Sequence, residues 1–385
     1  MNKKDVARIR KEFKPDNTAL KVKEIYNVYT QKETGEIIHA ESQIFEMLDY
    51  EQQVLFLANF KKVLSGQLDS KLFELKFNRD AEENSQHLLF RSLKAKVEEW
   101  KLNMNELVAK MYKEFSYETD VVFTFIRAEY FKPTKQKNEE AEEAAEDEVY
   151  GFDFILCSVN KIATPQKAIL FDFTEKEFKS NSVVDALINL TSPLEGFMYP
   201  AFTENQADAN HVLYSAGKAD APNPYFIENV LTCNYTMTAS QEKDIFDKVL
   251  TGVLGDKVAS ETLSNIYEKV NEMVEGYEDK EPPTLDVHDV KRLLEVSGVE
   301  NTDNVEKVFK KVVEKEGYEF KSTSLIPNFT SKSVKITTKT ANVQLSPKDL
   351  KNVRQIINHQ GKKCLLIELD EDVNIGNFKL QSERL

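Results

Sequence analysis

The chain has 385 residues, of which 41% are hydrophobic and 10% aromatic, so it can bury a sizeable core and is not a disordered chain. Its formal net charge of -14 repels a polyphosphate backbone and disfavours nucleic acid as the default partner. The start is polar and charged, and no apolar run approaches the roughly 18 residues of a membrane span, so we expect a cytoplasmic protein with no membrane segment.

The first part of the chain mixes helical and extended patterns. Apolar residues at helical spacing predict helices, and the period-two pattern of Phe73, Leu75 and Phe77 predicts a half-buried strand. In chain order, the predicted elements are a helix over 3–13, a strand over 20–29, a helix over 51–64, a strand over 72–77, and helices over 85–100 and 105–115.

A strongly acidic run follows. Seven carboxylates crowd residues 139–148, and such a density of like charge resists packing and predicts a solvated loop. The segments 121–127 and 152–159 on either side are β-branched and aromatic, which is typical of strands. We therefore predict one hairpin with an acidic loop insertion near 132–149, inside a first domain that spans 1–220. Further strands are predicted near 168–173, 183–190 and 211–215.

The pattern changes after residue 220. From 221 to 320 the apolar period is helical and predicts a helical region, in which Asp286 is a good N-cap and Gly298 a good terminator of one helix. From 321 to 385 strand patterns return, with 359–362 as a hairpin turn, and predict a small β-rich C-terminal unit. Because regular βαβ alternation is missing, this order indicates an α+β fold: a mixed, mainly antiparallel sheet with helices, a helical layer and a small C-terminal β-rich unit.

Several short stretches have the order and spacing of a known family. They are MNKKDV at 1–6, FKP at 13–15, LSG at 64–66, FILCS at 154–158, GFMYPAF at 196–202, VKRLLE at 290–295 and SGV at 297–299. Through these stretches the chain resembles, over nearly its whole length, a family of bacterial proteins described as domain of unknown function 4317. The resemblance implies a bacterial cytoplasmic origin and transfers no activity, ligand or site residue.

The common catalytic and cofactor signatures are missing from the sequence. There is no G-x-x-x-x-G-K-[ST], no G-x-G-x-x-G, no G-x-S-x-G and no H-E-x-x-H, and only 12 residues are Gly. Five separate histidines show no metal-ligand spacing, and Cys157, Cys233 and Cys364 form no C-x-x-C pair, which favours reduced thiols. We therefore expect no cofactor and no metal, and we favour a non-enzymatic protein.

The segment 193–214 is the best place for a site, if the protein has one. Apolar strand residues lead there into a polar loop, where Glu204, Asp208 and His211 are candidate catalytic residues. Carboxylates near an imidazole can do general acid and base work or hold a cation. The alternative is that the Asp and Asn side chains of this loop stabilise turns, and we favour it.

Arg127 is a second candidate because it lies in an otherwise apolar strand. A buried charge needs a partner, so we predict a contact with Asp153, or with Glu129 or another acid on a neighbouring strand. The functional alternative is a binding site in which this guanidinium recognises a carboxylate or phosphate ligand.

Three functions remain open from the sequence. The first is a non-enzymatic interaction or regulatory protein whose partner is another protein. The second is an enzyme with an unrecognised site in the 193–214 segment. The third is a weak nucleoid-type DNA binder that uses the basic N-terminal helix, since residues 1–23 contain eight basic and three acidic side chains. The plainer interpretation of that segment is the solvated face of an amphipathic helix.

Overall fold

The structure is a computed structural model. It describes residues 1–81, 84–133, 149–163, 169–180, 186–203, 206–276, 283–313, 317–329, 331–375 and 378–381. The chain forms two compact units, Met1–Thr238 and Ala239–Leu385, called unit 1 and unit 2 below. The finer division predicted from the sequence, with boundaries near 220 and 320, stays a prediction.

Unit 1 contains four α-helices and twelve strands among its described residues. The helices are α1 (Lys3–Glu12), α2 (Tyr50–Val63), α3 (Ser85–Ser92) and α4 (Val97–Tyr112). The strands are β1 (Leu20–Thr30), β2 (Ile37–Ile44), β3 (Leu72–Lys76), β4 (Val121–Pro133), β5 (Val149–Ala163), β6 (Ile169–Asp172), β7 (Glu177–Ser180), β8 (Leu187–Ile188), β9 (Glu195–Tyr199), β10 (Ala201–Thr203), β11 (Gln206–Asp208) and β12 (His211–Ala216).

One large sheet organises unit 1. Its strands run in the order β2-β1-β4-β5-β9-β12-β3, with β8 paired to β5. Each of these neighbouring pairs is antiparallel. The predicted α+β fold with a mainly antiparallel sheet is thereby confirmed.

Both faces of this sheet are covered by helices. Successive side chains of a strand point to opposite faces, so β4 sends Phe123 and Phe125 into one core and Ile126 and Ala128 into another. Helices α3 and α4 cover the first face, where Trp100 is fully buried, and α1 and α2 cover the second. The apolar runs of β4 and β5 are continuous because each strand faces a core on both sides.

The predicted hairpin of β4 and β5 is confirmed. Its register runs from Val121 opposite Lys161 to Pro133 opposite Val149. The acidic run itself lies outside the described residues. The strand predicted near 211–215 is also confirmed as β12, whereas β2 has no counterpart among the predicted elements.

The single helix predicted over 85–100 is wrong. Helix α3 ends at Ser92, four residues precede α4, and the helix predicted over 105–115 is the second half of α4. In this break, the carbonyl oxygens of Ser92 and Ala95 accept hydrogen bonds from the guanidinium of Arg127. Arg127 thus binds carbonyl groups that, in a continuous helix, would accept hydrogen bonds from backbone N–H groups four residues later.

Unit 2 joins a helical layer to short hairpins. The helices are α5 (Ala239–Leu254), α6 (Ser260–Glu275), α7 (Val287–Val296), α8 (Val305–Val313) and α9 (Ser322–Leu325). The strands are β13 (Thr284–Leu285), β14 (Phe320–Lys321), β15 (Val334–Thr337), β16 (Asn342–Leu345), β17 (Val353–Ile357), β18 (Lys363–Ile367), β19 (Asn374–Ile375) and β20 (Phe378–Lys379), paired in that order two by two.

Local signals in unit 2 are confirmed. The Asp286 side chain accepts hydrogen bonds from the backbone N–H groups of His288 and Asp289, and it begins α7 with a capping box. Gly298, with φ of 88°, lies just past the end of α7. The predicted turn joins β17 to β18, with Gly361 at φ of 74°.

Candidate functional site

β6 and β7 form a separate two-stranded hairpin over 169–180, which we call the aromatic hairpin. Its register places Phe171 opposite Phe178, and the ring centroid of Phe171 lies 5.1 Å from those of both Phe178 and Phe173. Phe173 is 84% exposed, Phe178 78% and Phe171 41%. Three neighbouring aromatic rings therefore face solvent at one place.

One carboxylate holds the turn of the aromatic hairpin. Asp172 accepts hydrogen bonds from the backbone N–H groups of Thr174, at 2.8 Å, and Glu175, at 3.1 Å, and it pairs with the ammonium of Lys179. The Lys179 hydrogen bond, followed by the two backbone donors, lowers the pKa of Asp172. Lys176 adopts the left-handed conformation, with φ of 56°. Phe173 thus lies in a turn held by hydrogen bonds, between the two strands that carry Phe171 and Phe178.

The aromatic hairpin is amphipathic. Side chains alternate along a strand, so Phe171 and Phe178 share one face of the hairpin. Asp172, Glu177 and Lys179 lie on the opposite face. An isolated two-stranded hairpin is only marginally stable in water. Its exposed aromatic face is therefore the kind of surface that a partner covers.

The structure brings two of the predicted catalytic residues together. Nδ1 of His211 lies 2.6 Å from Oδ2 of Asp208, at the point where the short β10–β11 hairpin leads into β12. Asp208 also accepts a hydrogen bond from the backbone N–H of Asn210 at 2.9 Å, which is the predicted turn contact. The third candidate, Glu204, lies outside the described residues.

The pKa of Asp208 is lowered. Partial burial works to raise it, but the hydrogen bonds from the Asn210 backbone and the His211 ring, with the charge of His211, outweigh burial. The side chain of His211 is 29% exposed, so solvent reaches this pair. An imidazole oriented by a carboxylate is able to act as a general base.

Arg127 is held by internal partners. Its Nε donates to Oε2 of Glu24 at 2.8 Å, Nη2 pairs with the same oxygen, and the guanidinium carbon lies 4.7 Å from the centre of the Trp100 ring. The predicted contact with Asp153 is wrong, because Asp153 pairs with Lys23 at 2.8 Å. The predicted alternative, an acid on a neighbouring strand, is confirmed, since Glu24 lies opposite Arg127 on β1.

A cleft adjoins Arg127 on the first face of the sheet. It encloses about 330 Å³ between β1, β4, β5 and the break between α3 and α4. Its walls are Lys23, Leu93, Lys94, Ala95, Arg127, Ala128, Asp153 and Phe154. Glu24 and two backbone carbonyls already accept hydrogen bonds from most of the N–H groups of Arg127. Arg127 therefore has few donors left for an anionic ligand, and its main role in the cleft is to form part of the wall.

Sequence reasoning missed a buried carboxyl at the start of β9. Glu195 is 5% exposed and accepts hydrogen bonds from the hydroxyls of Tyr117, at 2.7 Å, and Tyr214, at 3.2 Å, and from the amide of Asn223, at 3.4 Å. Burial raises the pKa of Glu195 to about 7, although these donors oppose the shift. The sequence feature that could have indicated it is a single acidic residue at the first position of an otherwise apolar strand.

Helix α1 displays the basic face that the sequence predicted. Lys3, Arg8 and Lys11 are exposed, whereas Val6 and Ile9 are buried in the second core. Asp5 is buried in a capping box with the N-cap residue of α1, so it is not part of the exposed face. The amphipathic interpretation of this segment is confirmed.

The described residues contain no cluster of three or more metal-binding side chains. All three cysteines are free thiols; Cys157 and Cys233 are buried, and burial raises the pKa of both. Within the described part of the chain, every helix is too short or too polar to cross a membrane.

Comparison with known protein families finds a match. The sequence model of a family described as Domain of unknown function (DUF4317) matches residues 1–378 of the 385. This match confirms the resemblance seen in the sequence. No curated protein matches the chain.

Proposed function

The chain belongs to the DUF4317 family, and from this premise, which carries no activity, we propose that it is a non-enzymatic cytoplasmic protein that binds another protein through the aromatic hairpin. The observation behind the proposal is the exposure of Phe171, Phe173 and Phe178 as neighbouring rings on one amphipathic hairpin. Aromatic side chains, Phe among them, are enriched at the cores of protein interfaces.

The exposed aromatic surface is large enough to anchor a partner. A Phe side chain offers about 200 Å², so the three exposed fractions correspond to about 400 Å². This equals the largest apolar patch of a typical monomer and about half of what one partner contributes to a standard interface. The remainder would come from the rim around the rings.

The chemistry of the hairpin favours a protein groove over a lipid surface. The hairpin carries three acids and two lysines, and the whole chain has a net charge of -14. Anionic lipid headgroups attract polybasic segments, and nothing in this hairpin supplies one. The occupant that fits is an apolar groove of another protein that accepts two or three rings.

Replacing the rings tests the proposal. We compare the wild type with a Phe173→Ala/Phe178→Ala variant and with Phe90→Ala, which removes another exposed ring, 61% exposed, from α3. A photo-crosslinking amino acid at position 173 then traps whatever contacts the hairpin in cells. We expect one protein to crosslink at 173, to bind the wild type and Phe90→Ala equally when purified, and to lose binding to the double variant.

Two results would contradict the proposal. One is equal binding of that purified protein to the wild type and the double variant. The other is binding of the wild type, and not of the double variant, to vesicles of phosphatidylcholine and phosphatidylglycerol without any crosslinked protein, which would assign the rings to a membrane surface.

The contact of Asp208 with His211 favours a second candidate, an enzyme with a general base in the 193–214 segment. Hydrolysis of p-nitrophenyl acetate and p-nitrophenyl phosphate serves as a generic probe. The candidate requires an activity that Asp208→Asn/His211→Gln abolishes while thermal stability is nearly unchanged. Equal activity in the double variant removes it.

The exposed basic face of α1 favours a third candidate, weak binding of DNA. Non-specific phosphate contacts weaken as the salt concentration rises. Binding to duplex DNA in a gel-shift assay therefore supports this candidate only if it persists above about 0.15 M salt. Arg8→Glu/Lys11→Glu should abolish that binding. Loss of the shift below this salt concentration rejects the candidate.

A further inference from the structure

The two edges of the large sheet differ in protection. At one edge, β3 has five residues, and Leu72, Phe73 and Leu75 in it are buried. At the other edge, β2 has eight residues and pairs only with β1 among the described strands. Ile38 and Ile44 of β2 are 55% and 57% exposed. Unit 1 therefore has one short, buried edge strand and one longer, exposed edge strand, and we call the latter the open edge.

β2 has few of the features that keep edge strands from pairing. It contains no Lys and no Pro, and its one acidic side chain is that of Glu41. Its irregularity lies at its start, between the pairs Tyr29 with His39 and Thr30 with Ile37. The stretch 39–44 is a regular strand whose outer backbone groups face no described strand.

A second copy of this strand fits the open edge in one register. Two antiparallel strands related by a two-fold axis pair through side chains of the same face, so one residue lies on the axis. An axis at Glu41 places two carboxylates opposite each other, which is unfavourable. An axis at Ala40 runs the partner strand into the irregular start of β2. An axis at Gln43 or Ile44 runs the partner strand into the helical turn over Phe45–Met47, whereas an axis at Ser42 avoids all three problems.

We propose that two copies of this chain associate through β2, antiparallel and centred on Ser42, so that their large sheets become one. In the single chain the Gln43 amide donates to Glu41 of its own strand, and in the dimer each Glu41 carboxylate accepts instead from Gln43 of the partner subunit. Each Ala40 packs against Ile44 of the partner subunit. The Glu41 and Gln43 pairs lie on one face, and the pairs of Ala40 with Ile44 lie on the other, on either side of the central Ser42 pair; matched cross-strand neighbours of this kind stabilise antiparallel strands.

The self-complementary register identifies the occupant. A foreign strand would gain the same backbone hydrogen bonds from the edge, but nothing in β2 selects a particular foreign sequence. A second copy meets the side chain of Glu41 with an amide donor and the side chain of Ile44 with an apolar surface, twice per dimer. Closed two-fold pairing also removes the open edge from both copies.

Sedimentation velocity and disulfide trapping test the register. Cα atoms directly opposite in an antiparallel pair lie about 4.5–5.5 Å apart, which suits a disulfide. Ser42→Cys should therefore crosslink to itself across the axis under mild oxidation. Ala40→Cys, on the same face, is displaced from its own copy by about 14 Å along the strands and should crosslink at least about tenfold more slowly. Both variants carry Cys364→Ser, which removes the one native cysteine that is not buried.

Charge complementation provides a second test. Gln43→Glu creates an acid-acid pair across the interface, and Glu41→Lys/Gln43→Lys creates a base-base pair, so each variant alone should sediment as a monomer. Mixed in equal amounts, the two place acids opposite lysines and should form a heterodimer. The wild type should sediment as a dimer at about 100 μM, where even a weak interface is populated.

Three outcomes would overturn the inference. The first is a monomeric wild type at that concentration, which would mean that the edge takes another occupant or none. The second is equal crosslinking of Ser42→Cys and Ala40→Cys. The third is a mixture of the two charge variants that stays monomeric. Circular dichroism of each variant checks that the fold is retained.

Discussion

We expect Glu195→Gln to stabilise unit 1 at and above neutral pH. The carboxyl of Glu195 is 5% exposed and receives hydrogen bonds from Tyr117, Tyr214 and Asn223. Gln has the same shape: its carbonyl oxygen accepts from Tyr117, and its amide donates to the hydroxyl of Tyr214, whose oxygen already accepts from the backbone N–H of Asn223 and has one lone pair left. The substitution removes the ionisable group, keeps the hydrogen bond from Tyr117 and reverses the direction of the one with Tyr214.

The magnitude follows from the pKa of Glu195, which burial raises from 4.5 to about 7. At about 1.4 kcal/mol per pKa unit, this difference corresponds to about 3 kcal/mol. Below pH 4.5 the carboxyl is protonated in both the folded and the unfolded chain. Between pH 4.5 and 7 the unfolded chain releases the proton first, so the free energy of unfolding falls as pH rises. Above pH 7 the loss is complete.

Trp100 provides the assay. It is the one Trp of the chain, and it is fully buried in the same core as Tyr117 and Tyr214. Urea unfolding followed by Trp100 fluorescence therefore reports on unit 1. The advantage of Glu195→Gln over the wild type should grow by about 3 kcal/mol between pH 4.5 and 8.

A matched control separates burial from loss of charge. Glu46→Gln removes an exposed carboxyl from unit 1 and should leave the pH profile of unfolding unchanged. Parallel profiles for the wild type and Glu195→Gln would refute the reasoning. So would a greater advantage of Glu195→Gln at pH 4.5 than at pH 8.

Three further predictions concern single contacts. Asp286→Ala removes the capping box of α7 and should cost about 1 kcal/mol in urea unfolding followed by circular dichroism. A double-mutant cycle of Arg127→Met and Glu24→Gln should give a coupling of about 1–2 kcal/mol by Trp100 fluorescence, since both side chains are partly exposed. Gly196→Ala would push a methyl group into the Cys157 carbonyl of the adjacent strand, so it should lower the free energy of unfolding by about 1–3 kcal/mol in the same assay.

The elements predicted well are those whose pattern reflects burial. β4 and β5 face a core on both sides, so their β-branched and aromatic runs are visible in the sequence. β2 borders solvent, and its alternation of Ile, His, Ala, Glu and Ser carries no burial signal. Helix α3 ends at Ser92, where Arg127 donates to the carbonyls of Ser92 and Ala95, and such a contact is invisible to local propensity.

The candidate sites depend on register and on contacts between distant segments. Arg127 lies opposite Glu24 on β1 and Ile155 on β5, whereas Asp153 lies opposite Glu129. A shift of two residues along β5 therefore decides which acid each base meets, and the sequence does not specify that register. The hydrogen-bond donors to Glu195 come from positions 117, 214 and 223. Because they are far apart in the sequence, no local motif predicts this cluster.

The pairing of β3 with β12 affects how the chain folds during synthesis. β3 ends at Lys76, and the residue opposite it on β12 is His211. At translation rates of about 5–20 residues per second, the roughly 135 residues between them take about 7–27 seconds to emerge. Throughout that interval β3 cannot pair with β12, so Phe73 and Leu75 stay exposed. The nascent chain therefore exposes an aggregation-prone segment at the ribosome. A chaperone that holds the amino-terminal third should therefore raise the yield of folded protein more than one that acts after release.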